Sequence, residues 1–509
     1  MLEKLYHKFK NWISNKDFQT IYLFLLIVAA IYSFMSIHIH NKFMTFGLDL
    51  GYFDEAIWKI SKFKFPYSGA GCIWLLEDHF QLFLFILAPL YWLWENVAVI
   101  LIAQSFAMVF AGLPLYLLAK DVTKNKLFSF SIVFAYLFFM GTQFAILNEF
   151  HQVTFAPLFI CIAYYALKIK RSTLYWFSIL MLLLIKEDLS LLVAAIGIGL
   201  IFSKKQKSLG IATAFIGISL FFFLTYYFMP LISFKGVYAH FHLGSIGETP
   251  KDVIINILKN PKLLITTLTT PLIKIKTLFQ SLISFGFIPI FTPLIYLFPL
   301  IEDFLVRFIY SGPQYTKWGL VNHHAAVGSM LLSITSIYGA NKLLSILSRK
   351  KNIKGVYNHL GVLLIIFSVA ANIVFHGPIN SLLKRQFYEE EEWIKHNREV
   401  IAKVPNDAFV SAQNNLLPHL THRDKIYRFP YGLNADYMVF DLHNGPNKYS
   451  PLTYEETKSL VQELLTTKRY SIIHQKGDAM LLKRNYKTDI TKSKYYGDTR
   501  FCYYSWEEL

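Results

Sequence analysis

Apolar runs of about 15 to 25 residues, separated by short clusters of lysine and arginine, fill this sequence from Thr20 to Phe375 and leave few folds open to it. The clusters stand at Lys4/Lys8/Lys10/Lys16, Lys120/Lys124/Lys126, Lys168/Lys170/Arg171, Lys204/Lys205/Lys207 and Arg349/Lys350/Lys351/Lys354. Such spacing describes a chain that crosses a lipid bilayer many times, with the cations marking its cytoplasmic ends. A hydrophobic content of 54% over 509 residues excludes a soluble multidomain protein. The net charge of +17 would suggest nucleic acid in a soluble chain. Here the basic residues act as topology signals, and no nucleic-acid partner is expected.

The first run, residues 20 to 37, follows a basic stretch and lacks an A-x-A-like cleavage site, so it reads as a signal anchor with a cytoplasmic N-terminus. If every basic cluster faces the cytoplasm, the intervening runs cross in pairs. Parity then places residues 39–96 outside as a long first loop, 148–152 outside as a turn, and 231–276 outside as a second long loop. Between Arg171 and Lys204 the apolar sequence is interrupted by Lys186-Glu187-Asp188, and a single crossing would strand Lys204, Lys205 and Lys207 on the wrong side. Two short helices meeting at the triplet, each about 21 Å long against a hydrocarbon core of about 30 Å, solve this and sink the triplet below the outer surface. The expected fold is mainly α: a polytopic transmembrane helical bundle of about 11 spans or half-spans over residues 1–380, placed in the cell (plasma or inner) membrane.

Composition changes after His376. Residues 390–485 read as a small soluble α/β domain on the extracytoplasmic side, with a helix through Trp393 and Val400, strands at 409–411 and 437–440, and a capping box at Thr453–Glu456. A hairpin turning at Gly477 follows it. No chemistry-bearing motif occurs there, and 486–509 is a polar tail. Three cysteines, Cys72, Cys161 and Cys502, stand at unrelated spacings and imply neither a disulfide framework nor a zinc knuckle.

The candidate site centres on Phe46–Phe80 in the first loop, where Asp49, Asp54, Glu77, Asp78 and His79 crowd beside an apolar segment. Asp49 follows the first span and precedes Gly51, so it can turn back towards the bilayer. Phe53, Ile57, Ile60 and Phe63 recur at helical spacing, which describes a helix in the headgroup plane with Asp54 and Glu55 on its solvated side. Glu77-Asp78-His79 opens a further apolar run and can cap its helix. Lys186 can neutralise one carboxylate of its triplet, leaving a charge that calls for a second cation, Arg307. Glu149, His151, His323 and His324 lie in two turns predicted on the same face as Asp49. A divalent metal held by Asp49, Asp78, His79, His151 and His323 is a further expectation, although no spacing such as HExxH enforces it.

The segments FGLDLGYFDEAIW, EDHFQLFLFILAPLY, NEFHQVTFAPL, LLIKEDLSLLVA, VSAQNNLLPHLTHRDKIYRFP and ADYMVFDL resemble, in that order, a family of predicted bacterial and archaeal membrane proteins known as domain of unknown function 2079. That family looks like a branch of the C-type (GT-C) integral-membrane glycosyltransferases. The resemblance implies transfer of a sugar from a polyprenyl-phosphate donor, at the outer face, to an acceptor that the sequence does not identify. It also implies an acidic base in the first loop, where Asp49 matches. The family's tight acidic pair is absent, so Asp54 or Asp78 stays open as the base. Lys186, Arg307 and His323 are the groups expected to steady the departing phosphate. The rival expectation is a transporter or lipid-binding scaffold without transferase activity.

Overall fold

The computed structural model describes residues 16–203, 205–241, 243–247, 249–310, 315–347, 353–445, 447 and 450–485. The tail at 486–509 and the basic residues Lys4, Lys8, Lys10, Lys204, Arg349, Lys350 and Lys351 lie outside them.

Four helices among the described residues, Lys16–Asn41, Ala98–Thr123, Lys207–Ile232 and Gly355–Val374, are long and apolar enough to cross a membrane. Lys126–Phe138 and Met140–Leu147, bent by 50°, make a fifth if taken as one span. This is short of the expected count of about 11, because much of the remaining apolar sequence forms short helices. Ser172–Ile185 and Leu189–Ile201 have 14 and 13 residues, about 20 Å each at 1.5 Å per residue. They part at Lys186-Glu187-Asp188, where the chain leaves the helix.

Small residues let these short helices pack closely. A Cβ placed on Gly197 would meet the Ala214 nitrogen at 2.3 Å, and one on Gly217 would meet the Ser190 carbonyl at 2.5 Å. Leu189–Ile201 and Lys207–Phe223 therefore run with their backbones in contact, which only glycine allows at those points. At one end of the bundle Asp17 binds Lys126 at 2.7 Å and Lys120 at 3.3 Å. The start of the first helix, the end of Ala98–Thr123 and the start of Lys126–Phe138 thus meet at one end of the bundle.

The opposite end carries the loops and the carboxy-terminal domain. The first loop contains a short hairpin of β1 (Tyr67–Ser68) and β2 (Ile73–Trp74). The domain is a mixed sheet of β3 (Val410–Ala412), β4 (Ile426–Arg428), β5 (Tyr437–Asp441), β6 (Tyr470–Lys476) and β7 (Ala479–Arg484), in the order β4-β3-β5-β7-β6. β3 lies parallel to β4 and β5; β7 lies antiparallel to β5 and β6. Alternation along the strands serves two layers. Met438, Phe440, Met480 and Leu482 pack with Leu460, Val461 and Leu464 of helix Tyr454–Thr466, which opens on the Thr453/Glu456 capping box. Val439 and Leu481 instead join Ile394 and Val400 of helix Glu392–Ile401, in a core continuous with the bundle.

This domain docks on the first loop. The Gly47 N–H donates to the Asn414 carbonyl at 2.8 Å, and the His40 and His419 rings stack at 4.0 Å. The helix expected in the headgroup plane is present as Tyr52–Ser61, but Asp54 and Glu55 are fully buried rather than solvated. The correction has a simple cause: the domain covers the polar side of the helix at Asp54. The hairpin covers it at Glu55, whose carboxylate binds Lys59 at 2.6 Å, Ser68 at 2.8 Å and the Ala70 N–H at 3.1 Å. Cys161 is free and buried, whereas Cys72 is disulfide-bonded.

Candidate functional site

Residues 47–51 form one wide turn of π-helical type between the first span and helix Tyr52–Ser61. Its free N–H groups are met from another part of the chain: one carboxylate oxygen of Glu149 accepts from Phe46 N–H at 2.8 Å and Leu50 N–H at 3.1 Å. Glu149 itself sits at a left-handed φ of 57°, a conformation that costs about 1 kcal/mol or more and is retained where its surroundings over-determine it. Gln104 supplies that constraint. Its amide donates to the carbonyls of Ile146 and Glu149, and its oxygen accepts from the His151 N–H at 2.8 Å.

Asp49 projects from this turn with its side chain 20% exposed and a carboxylate oxygen 3.8 Å from His151 Nε2. The His151 ring lies 3.4 Å from that of His323, which lies 3.9 Å from that of His324. Arg428, on β4, is close enough for the Asp49 charge to act on it, although burial pushes its pKa down to about 10. Sequence reading assigned no chemistry to the domain that carries this guanidinium.

A second group of ionisable side chains joins the two long loops. His79 Nδ1 is 2.7 Å from Glu187 Oε1, and Glu187 also accepts from Phe80 N–H at 3.0 Å and Tyr238 Oη–H at 2.8 Å. His240 reaches the Asp78 carbonyl at 2.8 Å and its carboxylate at 3.3 Å, while the His79 and His240 rings stack at 4.1 Å. Burial acts against the Asp78 charge, but His79 and His240 outweigh it and hold its pKa down to about 2. Asp78, His79 and His240 each offer one ligand atom, all within 4.8 Å of one another. Of the five residues expected to share a metal, Asp78 and His79 lie in this group, while Asp49, His151 and His323 lie together around the Asp49 turn.

Lys186 lies within electrostatic reach of both groups, acting on His79 as well as on His151, His323 and His324. It pairs with Asp188 at 3.3 Å. Arg307 does not serve as the triplet's second cation. It pairs with Asp303 at 3.3 Å and donates to the carbonyls of Lys317 and Gly319, so it holds the 317–319 turn. That turn presents Lys317, which sequence reading missed. Burial, with Lys186 beside it, pulls the Lys317 pKa down to about 8. Glu77 is likewise engaged structurally, accepting from the Phe234 N–H of the second loop at 2.7 Å.

Asp54 is closed off. Thr421 and Tyr91 donate to its carboxylate, and His422 lies 3.1 Å away as a charge pair rather than an aligned hydrogen bond. A separate cleft of about 520 Å³ opens along this seam, lined by His40, Trp94, His419 and His422. It does not reach Asp49.

Apolar helices of membrane length, with acids, histidines and a buried lysine gathered beneath a docked carboxy-terminal domain, define a helical membrane protein with a polar site at its loop end. The chain belongs to the family described as predicted membrane protein (DUF2079), whose family model matches residues 39–481. No curated protein matches the chain.

Proposed function

We propose that the protein is an integral-membrane glycosyltransferase of the C type, transferring a sugar from a polyprenyl-phosphate donor to an acceptor hydroxyl at the outer face of the membrane. The observation that carries this reading is Asp49: a partly exposed carboxylate on a turn fixed by Glu149, beside His151 and within the loop-end cluster that contains Lys186. Asp49 takes the acceptor's proton as the new bond to the anomeric carbon forms and the bond from that carbon to the phosphate oxygen breaks. The electron pair departs with the phosphate, and the anomeric carbon inverts. A base so placed contributes about 10²- to 10⁴-fold, and Lys186 and Lys317 stabilise the leaving charge. Of the other two candidate bases, Asp54 is fully buried against Thr421, Tyr91 and His422, and Asp78 pairs with His240 at 3.3 Å.

In this reading the short helices on either side of the triplet count as half-crossings, about 11 crossings result, and the loops and carboxy-terminal domain lie outside the cell membrane. The disulfide at Cys72 in the first loop supports that side, since disulfides persist in oxidising compartments. Native mass spectrometry of the purified protein with polyprenyl phosphate and its sugar conjugates tests the proposal. Retention that survives Asp49→Asn but weakens in Lys186→Ala, together with loss of transfer in Asp49→Asn, is the expected pattern. Affinity no greater than for ordinary phospholipids would leave the transporter or scaffold reading in its place.

A further inference from the structure

We infer that Asp78, His79 and His240 form a zinc-type divalent metal site that clamps the second outer loop onto the first. The inference is independent of the transferase reading. Two imidazoles and one carboxylate are the donor set of three-ligand zinc sites, which keep a fourth position open. Metal–ligand bonds of about 2.0–2.1 Å in tetrahedral array put neighbouring ligand atoms about 3.3 Å apart. His240 Nε2 stands 3.3 Å from the Asp78 carboxylate oxygen and donates its proton to the Asp78 carbonyl at 2.8 Å, so metal binding there shifts that proton to Nδ1; all three ligand atoms fall within 4.8 Å of one another.

The groups behind the ligands fit the same role. Glu187 accepts from His79 Nδ1 at 2.7 Å, which fixes the tautomer and leaves the Nε2 lone pair as the ligand. Glu187 is itself immobilised by Tyr238 and by the Phe80 N–H. Charge also favours a cation, since Asp78, Glu187 and Asp188 are opposed locally by Lys186. A site built from two nitrogens and one oxygen selects zinc or cobalt over magnesium, which prefers an all-oxygen shell. Position in sequence explains why reading the chain missed it: His240 lies 162 residues from Asp78.

The test uses the untagged full chain in detergent, stripped with a chelator and titrated with Zn²⁺, Co²⁺ or Mg²⁺, with retained metal measured by elemental mass spectrometry. The expected result is one zinc per chain, no retained magnesium, and visible Co²⁺ bands of low-coordinate type. His240→Ala and Asp78→Asn should each weaken zinc binding at least about 100-fold. Glu187→Gln should weaken it about 10- to 100-fold while the metal stays bound at saturation. Zinc retention equal in wild type and His240→Ala, or retention of magnesium alone, overturns the site. If His240→Ala does not fold, X-ray absorption on zinc-loaded wild-type protein decides: two imidazoles in the coordination sphere carry the assignment, and fewer overturn it.

Discussion

His422 of the carboxy-terminal domain stands 3.1 Å from the carboxylate of Asp54, a fully buried group in the first loop. Burial opposes the Asp54 charge, but His422 and the hydrogen bonds from Thr421 and Tyr91 outweigh it and leave its pKa below the usual 3.8. Burial likewise works against protonated His422, and Asp54 outweighs it, leaving the pKa above 6.5. The histidine's contribution is complete below 6.5 and fades as pH rises through its raised pKa; the aspartate's is complete above 3.8 and fades as pH falls through its lowered one. Docking should therefore be firmest between those values. Limited proteolysis at about pH 5.5 and about pH 8.5 should release the domain faster at the higher pH, and the reverse order would contradict the pairing. Asp54→Ala should cost about 3 kcal/mol, and a double-mutant cycle with His422→Ala should show that the two losses do not add.

Glu149 acts on Asp49 through the backbone. Replacing it with alanine leaves the buried N–H groups of Phe46 and Leu50 without their acceptor, at about 1–3 kcal/mol each. Glu149→Ala should speed hydrogen exchange across 46–51 and lower kcat more than it raises KM. Normal exchange in that turn would show that something else holds it.

Lys317 gives the site a pH limit of its own. With its pKa near 8, it loses its charge in mildly alkaline buffer, so retention of polyprenyl phosphate should fall as pH rises through that value. Lys317→Arg should flatten the profile, because a guanidinium keeps its proton. An unchanged profile in Lys317→Arg rules Lys317 out as the titrating group.

Gly69 tests the docking surface sterically. A Cβ there would lie 1.8 Å from the Ile426 carbonyl, a clash that only backbone movement relieves. Gly69→Ala should displace β4 and expose the seam to protease with the membrane helices still folded, which circular dichroism would verify.

The membrane character, the break at Lys186-Glu187-Asp188 and most of the carboxy-terminal secondary structure were legible because each rests on a local signal: apolar run length, a charged interruption, or a cap such as Thr453/Glu456. β4 was missed because Ile426–Arg428 lies between Lys425 and Pro430 and itself ends on a charge, unlike the equally short β3. The polar residues around Asp49 were harder. Asp54 reads as solvated wherever its helix is considered alone, and its burial is decided by Thr421 and His422, which lie 367 and 368 positions away. The Asp78/His240 contact and the diversion of Arg307 to Asp303 and the 317–319 turn depend equally on tertiary placement, which periodicity does not encode.

The docked domain also sets an order of events during synthesis. The first loop emerges early, yet its Asp54, its Gly47 N–H and the cover over Gly69 all wait for residues beyond 410. Until residues beyond 410 have been made, that loop carries a carboxylate with Tyr91 but neither Thr421 nor His422, and a backbone donor without its acceptor. Chains truncated before residue 410 should therefore leave the first loop uncovered and prone to misassociation, so the loop at the start of the chain is finished only when the domain after residue 410 folds onto it.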